Sequence, residues 1–560
     1  MRDRRYLAFI PLAALIAISP LLFSGSSCGH DFEFHLRNWL EVGSQWKQGA
    51  LLPRWAFTVA WNAGEPRFVF YPPLSWSIGA LLALVLPWAA VPATLIWLAL
   101  TCCGFTMHRL ACQWTSPDNA LIAAAFYIVH PYMLFTFYER AAYAELLAAA
   151  WIPLVFLSIL RARLTIAGIA IPLSLLWLTN APAAVMGSYA FAILAVIRVV
   201  YSYRNTRSSD SVMREIATIV SGAALGLGVA AFYIVPATIE QHWVKISMPY
   251  IPGVRYQDNF FFQRIGDPSH DAILRTASLC GLALIALAAI AFVVARLLRG
   301  TKMRSGTDNC AHAQAVMALG IVTCIISFLL TAPSAVLWRH VPELLFLQFP
   351  WRFCAILGAT VAALLALALR PARLHAAAAT TIAFSLTFVL TLCGNHFFRQ
   401  YCFSSFSASG IADSFYNGGR YDLTDEYPPV GADGSALQHA NPSFWIAANP
   451  SDPAPAHADA DYSVSLGNRL HFNVATPVPA FIVINLRDYR AWKIAVNGGP
   501  IGVRPHRNDG LIAVPIACGI SQIDISYAHT GDMTAGWIVT ALSIVALLFV
   551  RRRQEGAASL

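Results

Sequence analysis

Apolar residues fall in blocks along most of this chain. Blocks near 6–24, 88–107, 118–137, 143–160, 164–180, 183–201, 215–236, 273–298, 313–332, 352–369, 375–394 and 533–550 are each long enough to read as a bilayer-crossing helix. A thirteenth apolar stretch, 72–87, opens with Pro72 and Pro73 and closes with Pro87. Between 396 and 532 the pattern changes. It is rich in Asp, Gly, Pro and Ser up to about 460, and then it alternates. Phe472 to Asn485, Trp492 to Val496 and Ile523 to Tyr527 read as strands, and Asn497-Gly498-Gly499 reads as a hairpin turn. The expectation is an α-helical polytopic membrane protein with about 12 spans and a β-rich domain inserted before the last one. The boundaries are 1–395 for the membrane domain with an outer loop 25–87, 396–532 for the β-rich domain, and 533–560 for the final helix and basic tail.

Composition agrees with that pattern. Hydrophobic residues make up 57% of the 560, charged residues only 12%, and the mean hydropathy is +0.57. Soluble domains carry about 25% charged residues, so a soluble enzyme, a disordered chain and a small secreted domain are excluded. The first apolar block follows Arg2, Arg4 and Arg5 and has no clear small-residue cleavage site, so it reads as a retained helix. Among 11 cysteines there is no CxxC pair. Cys402 and Cys518 both fall in the β-rich region and are candidates to pair there.

The net charge is +9. The basic residues sit in short patches between apolar blocks, so topology explains them better than a nucleic-acid partner does. If 72–87 does not cross, one side receives Arg2, Arg4, Arg5, Arg109, Arg161, Arg163, Arg198, Arg204, Arg207, Arg214, Arg296, Arg299, Lys302, Arg304, Arg370, Arg373 and Arg551 to Arg553. If it crosses, every patch after the first lies outside, against the tendency of Lys and Arg to stay cytoplasmic. The stretch therefore reads as a juxtamembrane or re-entrant helix on the outer side, with both termini cytoplasmic and the β-rich region outside.

That topology gathers several polar segments on the outer face. Asp31 and His35, four apart after the first helix, share a helical face, and the stretch on to Gln48 has roughly helical spacing with an apolar face suited to lie along the membrane surface. An Asp at the bilayer edge is a candidate general base or metal ligand; alternatively it caps the next helix. In Gly64-Glu65-Pro66-Arg67-Phe68-Val69-Phe70-Tyr71-Pro72-Pro73-Leu74, Arg67 is placed to grip a phosphate and Glu65 to pair with it or bind a metal. The plainer reading is an interfacial salt bridge in an aromatic belt. Glu139, Arg140 and Glu145 surround the second outer turn; an acid at the start of an apolar helix is costly without a partner, and Arg140 is placed either to satisfy Glu145 or to meet an anionic ligand. His130 reads as a packed helix residue. The loop 237–272 holds Glu240, His242, Lys245, Arg255, Arg264 and Asp267, and is long enough to order over a ligand. Arg352 in Gln348-Phe349-Pro350-Trp351-Arg352-Phe353 either binds a phosphate or snorkels.

These segments resemble the GT-C superfamily of membrane glycosyltransferases, and within it the bacterial pyruvoyl-tetrahydropterin synthase-related and YfhO-like membrane proteins. Asp31 is similar to the first-loop acid of GT-C enzymes, and Tyr71-Pro72-Pro73-Leu74 to their basic-Pro-Pro-Leu segment, with Tyr in place of the basic residue. Glu139 to Glu145 stands where the family carries an Arg and an acid. Gln348 to Phe353 is similar to a segment before a late helix, and Tyr489 to Gly498 to a strand and turn of the YfhO-like β domain. The resemblance implies a glycosyltransferase of the bacterial inner membrane. It implies a polyprenyl-phosphate sugar donor, membrane lipids and no nucleic acid as partners, and an extracytoplasmic glycan, lipid or protein acceptor. Asp31, Glu139 and Glu145 become the catalytic candidates. Glu65, Arg67, Tyr71, Arg140, His242, Arg264 and Arg352 become candidates for substrate or phosphate. A divalent cation, Mg or Mn, on Asp31 and Glu139 is used by some members only. Two other readings stand beside this one: a lipid-linked saccharide flippase, whose halves should show a symmetry the sequence lacks, and a non-catalytic envelope scaffold. The scaffold reading expects Asp31, Glu139 and Arg140 to lie more than about 10 Å apart, beyond hydrogen-bond reach of one substrate.

Overall fold

The computed structural model describes residues 6–205, 208–297, 306–372, 374–417, 426–439, 441–455 and 467–558. Among these, ten helices are long and apolar enough to cross a membrane, and the pair Pro117–Val129 and Pro131–Glu139, bent by 41°, makes an eleventh. The twelfth expected span is the Ile166–Thr179 helix, only 14 residues long and carrying Pro172 inside it. The chain is a helical polytopic membrane protein with a small β domain ahead of its last helix, as the sequence pattern predicts.

The helices run up and down, so their ends sort onto two sides. Arg198 donates to the carbonyls of Ile159 and Arg161 and pairs with Glu215 at 2.9 Å, which holds three helix ends together at one side. Asn119 does the same there, donating to the carbonyls of Leu369 and Ala372. The basic patches of the described residues lie at these ends. Arg2, Arg4, Arg5, Arg207, Arg299, Lys302, Arg304 and Arg373 fall outside the described residues. The stretch 72–87 forms the 13-residue helix Pro73–Val85. At its start the Tyr71 hydroxyl meets Glu426, and just past its end Trp88 meets the Ala408–Tyr416 helix. Both of its ends thus stay on the side opposite the basic patches. It packs along the Phe32–Lys47 helix, where Trp39 lies so close to Gly79 that a Cβ there would overlap the indole. That amphipathic helix buries Phe32, Leu36, Trp39, Leu40 and Val42 against protein, rather than resting its apolar face on lipid.

The β domain is a sandwich of antiparallel strands. They are β1 (Phe444–Ala447), β2 (Arg469–Thr476), β3 (Ala480–Arg487), β4 (Trp492–Val496), β5 (Gly499–Ile501), β6 (Leu511–Ile516) and β7 (Gly519–Tyr527). One sheet has the order β1-β3-β6 and the other β2-β7-β4-β5. The run 472–485, expected as one strand, is two. Pro477 and Pro479 lack the N–H a ladder needs, and the chain crosses there from one sheet to the other. Asn497 and Gly498, with φ of 50° and 78°, make the tight β4–β5 turn. Val474, Ile482, Ile484, Ile494, Ile512, Val514, Ile523 and Ile525 fill the space between the sheets.

The second face of the β1-β3-β6 sheet is also covered. Val483, Trp445, Leu511 and Ala513 pack on Ala60 and Ala63 of the loop between the Phe32–Lys47 and Arg67–Phe70 helices. Ala60, Trp61 and Asn62 are consecutive left-handed residues there, with φ of 51°, 57° and 65°. Asn485 donates to the Trp61 carbonyl and the Arg487 N–H to the Ala63 carbonyl, so β3 holds this turn. The sandwich is docked on the membrane domain through the 54–66 loop. Cys402 is disulfide-bonded to Cys28, and Cys518 is exposed and free; the expected Cys402–Cys518 pair does not form. The β4 to β7 strands place Cys518 at the far turn of the sandwich, whereas Cys402 follows directly on the Ala376–Phe398 helix.

Candidate functional site

The polar groups of the second outer turn are brought together by a break in a membrane helix. His130-Pro131 ends one segment and begins the next, because proline has no N–H to continue the ladder. The His130 Nδ1 accepts from the Met133 N–H and caps the new turn, the packed role expected of it. The following turn, Phe135–Glu139, is wide, and Ala141 at φ 52° turns the chain into the Tyr143–Leu160 span. The turn is gripped from outside. Gly29 lies against the 139–141 backbone, where a Cβ would come within 2.3 Å of the Glu139 carbonyl oxygen. The Asp31 N–H donates to the Arg140 carbonyl at 2.8 Å, and Ser27 Oγ donates to the Tyr138 carbonyl. The disulfide Cys28–Cys402 locks this layer in place.

Four of the predicted residues meet here. Arg140 Nη1 donates to Glu145 Oε2 at 2.8 Å, and its Nη2 lies 3.9 Å from Asp31 Oδ2. Arg352 Nε lies 3.9 Å from the same Glu145 oxygen. Tyr132, which sequence reasoning missed, donates to the other Glu145 oxygen at 2.7 Å. Arg140 stacks over the Trp351 ring and Arg352 over the Phe349 ring, each guanidinium under 5 Å from the centroid. Glu145 and Arg140 are only 5% exposed, whereas the Asp31 side chain is 44% exposed. One carboxylate is therefore spent on holding the arginines, and the other faces outward, free to act. Asp31 occupies the cap position of the Phe32–Lys47 helix, yet its side chain makes no capping hydrogen bond. Beside it, burial pushes the His35 imidazole down to about 4, so the ring stays neutral at physiological pH.

The cluster holds more donors than acceptors. Arg352 Nε, Trp351 Nε1 and Gln348 Nε2 are buried with no hydrogen-bond partner. Unpaired buried donors are costly unless an acceptor comes, and Gln348 is held in the left-handed region at φ 62°. Arg352 and Glu145 open the two membrane spans that are most fully enclosed by others, so the cluster sits over the centre of the bundle.

Glu65, Arg67 and Tyr71 form a second, neighbouring network. Arg67 Nε donates to Glu65 Oε1 at 2.7 Å with both side chains buried. Glu65 Oε2 accepts from the N–H groups of Glu426 and Tyr427, and Tyr71 donates to Glu426 Oε2 at 2.7 Å. Arg67 also stacks over Phe34 and reaches Asn38 Oδ1. This network straps the approach to the β domain onto the membrane domain. Burial pushes the Glu426 carboxyl up to about 7 against the pull of Arg67, with the charges of Glu65 and Asp31 adding to the rise. Glu426 had no signal in the sequence, since it stands in a stretch of Asp, Tyr and Pro with no periodicity.

The remaining candidates lie apart from both networks. Glu139 accepts from Gln400 Nε2 at 2.8 Å and takes no part in the arginine cluster. His242 sits in a tight turn beneath the sandwich, beside Trp243. Arg264 lines a separate cleft with Asp271 and Arg275 at the start of the Pro268–Leu297 helix. The 237–272 loop is packed rather than open: Val244 bridges to Pro429, and Asp258 binds Arg255 at 2.8 Å. Among the described residues no three His, Cys, Asp or Glu side chains converge as metal ligands. Asp31 faces Arg140 and Glu139 faces Gln400, so these two do not fit a divalent ion.

No family model matches the chain, and no curated protein matches it. Two solved structures are similar in part, both of the arabinofuranosyltransferase AftD from Mycobacteria, one of them a mutant. Identities are 18% and 17%, and the TM-score is 0.40 in each. The likeness covers 73% of this chain but 27% and 28% of theirs, so the chain spans about a quarter of their length. Similarity at that level decides neither family nor activity.

Proposed function

We propose that this chain is a GT-C-type membrane glycosyltransferase. It takes a sugar from a polyprenyl-phosphate donor and passes it to an extracytoplasmic glycan, lipid or protein acceptor. One observation carries the reading: an outward-facing carboxylate, Asp31, stands 3.9 Å from a buried arginine, beside a second arginine with an unpartnered Nε, over the centre of the bundle. The scaffold alternative expected Asp31, Glu139 and Arg140 to lie apart; Asp31 and Arg140 meet, whereas Glu139 turns to Gln400.

In the proposed step the acceptor hydroxyl attacks the anomeric carbon. Its oxygen–carbon bond forms as the carbon–oxygen bond to phosphate breaks. Asp31 takes the hydroxyl proton, and the leaving phosphate keeps the electron pair. Arg352 and Arg140 meet the charge that develops on that phosphate. Glu145 and Tyr132 hold Arg140 in place, and the Trp351 ring stacks against its guanidinium. The 139–145 turn, the 348–353 turn and the first loop each contribute one part.

The test is Asp31→Asn in membranes, assayed for transfer from a lipid-linked sugar. The expected loss is about 10²-fold or more, with an unaltered thermal unfolding midpoint. Transfer at the wild-type rate would remove Asp31 as the base.

A further inference from the structure

A cleft of about 690 Å³ opens at the junction of the β domain and the last membrane helix. Its walls are Trp243, just past the Ala231–Glu240 helix; Arg490 and Lys493, from the turn into β4 and from β4 itself; and His529, Thr530 and Asp532, leading into the Gly531–Ala558 helix. Arg490 and Lys493 are exposed, and Arg490 is steered by the Trp243 ring, 5.6 Å from its centroid. The Thr530 hydroxyl is buried and has no partner. The acidic member of the wall, Asp532, faces Glu240, whose carboxyl burial pushes up to about 8.

What lies below the cleft decides the ligand. Trp537 stacks on Phe232 and is 44% exposed, and Ile538 and Leu542, four residues apart, continue an exposed apolar surface down the same helix. A basic cleft whose floor runs directly into a lipid-facing surface matches a molecule with an anionic head and apolar tails. We infer that this cleft binds the headgroup of an anionic phospholipid, with the phosphate between Arg490 and Lys493 and the acyl chains along Trp537 to Leu542. The bound lipid fastens the sandwich to the membrane surface beside the last membrane helix. The inference is independent of the transfer reaction, because none of these residues belongs to the Asp31 or Glu65 networks.

The experiment titrates full-length protein in nonionic detergent with phosphatidylglycerol or phosphatidylcholine of equal chain length, and counts bound lipids by native mass spectrometry. Phosphatidylglycerol is expected to bind at least tenfold more tightly. R490Q and K493Q should each weaken it about fivefold, and R490K/K493R should restore it. Equal binding of the two lipids by the wild type would overturn the inference. So would phosphatidylglycerol binding unchanged in R490Q/K493Q at an unaltered unfolding midpoint. Displacement of the lipid by millimolar inorganic phosphate alone would make this a free-anion site and overturn it as well. Should the double variant unfold, the two single variants carry the same comparison.

Discussion

Glu145 shows how burial divides labour between carboxylates. Its two oxygens take Arg140 and the Tyr132 hydroxyl, and its side chain is buried. Glu145→Gln leaves a buried guanidinium without its counter-charge and is expected to lower stability by about 3–5 kcal/mol, measured by thermal unfolding in detergent. Tyr132→Phe removes one hydrogen bond and should cost about 1 kcal/mol. Asp31, which binds no buried group at hydrogen-bond distance, should be replaceable by Asn with no such penalty. Arg352→Gln is expected to raise the KM for a lipid-linked donor about tenfold while the fold survives, since Arg352 Nε holds no internal acceptor. A variant with unchanged KM would take Arg352 out of the phosphate site. The sequence showed that Glu145 needed a partner, because an acid at the head of an apolar helix is expensive. It offered Arg140 as that partner but could not show Tyr132, since a tyrosine in an apolar run gives no hint of where its hydroxyl points.

Among the elements, the 54–66 loop and the 27–31 layer carry the most consequence. Three consecutive left-handed residues are costly, because a Cβ crowds the following carbonyl. Ala60→Gly is therefore expected to stabilise the protein by about 0.5–1 kcal/mol. Ala60→Val should destabilise it by about 2 kcal/mol, as a β-branched residue fits poorly at positive φ. Thermal unfolding of the two variants checks the order. The turn was not legible in Val59-Ala60-Trp61-Asn62-Ala63, which has glycine only after it, at Gly64. It exists because β3 binds its carbonyls from across the chain. The Phe32–Lys47 helix was legible from its spacing, but its burial against the Pro73–Val85 helix was not. An amphipathic stripe fits a lipid surface and a neighbouring helix equally well.

At the scale of the whole molecule, long-range ties hold the β domain to the bundle. Cys28–Cys402 spans 374 residues of sequence. Cys28→Ser is expected to cost about 2–5 kcal/mol, measured as the difference between the oxidised wild type and the variant; equal midpoints would mean that the bond constrains little. The Glu65–Glu426 strap predicts a pH dependence. Glu426 has a folded value of about 7, above the usual carboxylate range, so the folded state holds a proton that the unfolded state has already lost. Its stabilising contribution is complete below about pH 4.5 and is lost as pH rises through 7. Between pH 5 and 8 the wild type should lose roughly 1–3 kcal/mol, and Glu426→Gln, permanently neutral, should lose less. A wild type and variant with the same pH slope would remove Glu426 as the titrating group.

Local pattern was enough to determine the solvent of each segment. Runs of apolar residues specify spans, alternation specifies strands, and charge patches specify which helix ends belong together, because each depends only on neighbours along the chain. The same charge patches were enough to expect that 72–87 does not cross. Tertiary structure alone decided which cysteine met Cys402, that Glu139 turned away from Asp31, and that Glu426 joined the strap. These outcomes depend on contacts between helix ends hundreds of residues apart, where direction in space, not spacing in sequence, selects the partner.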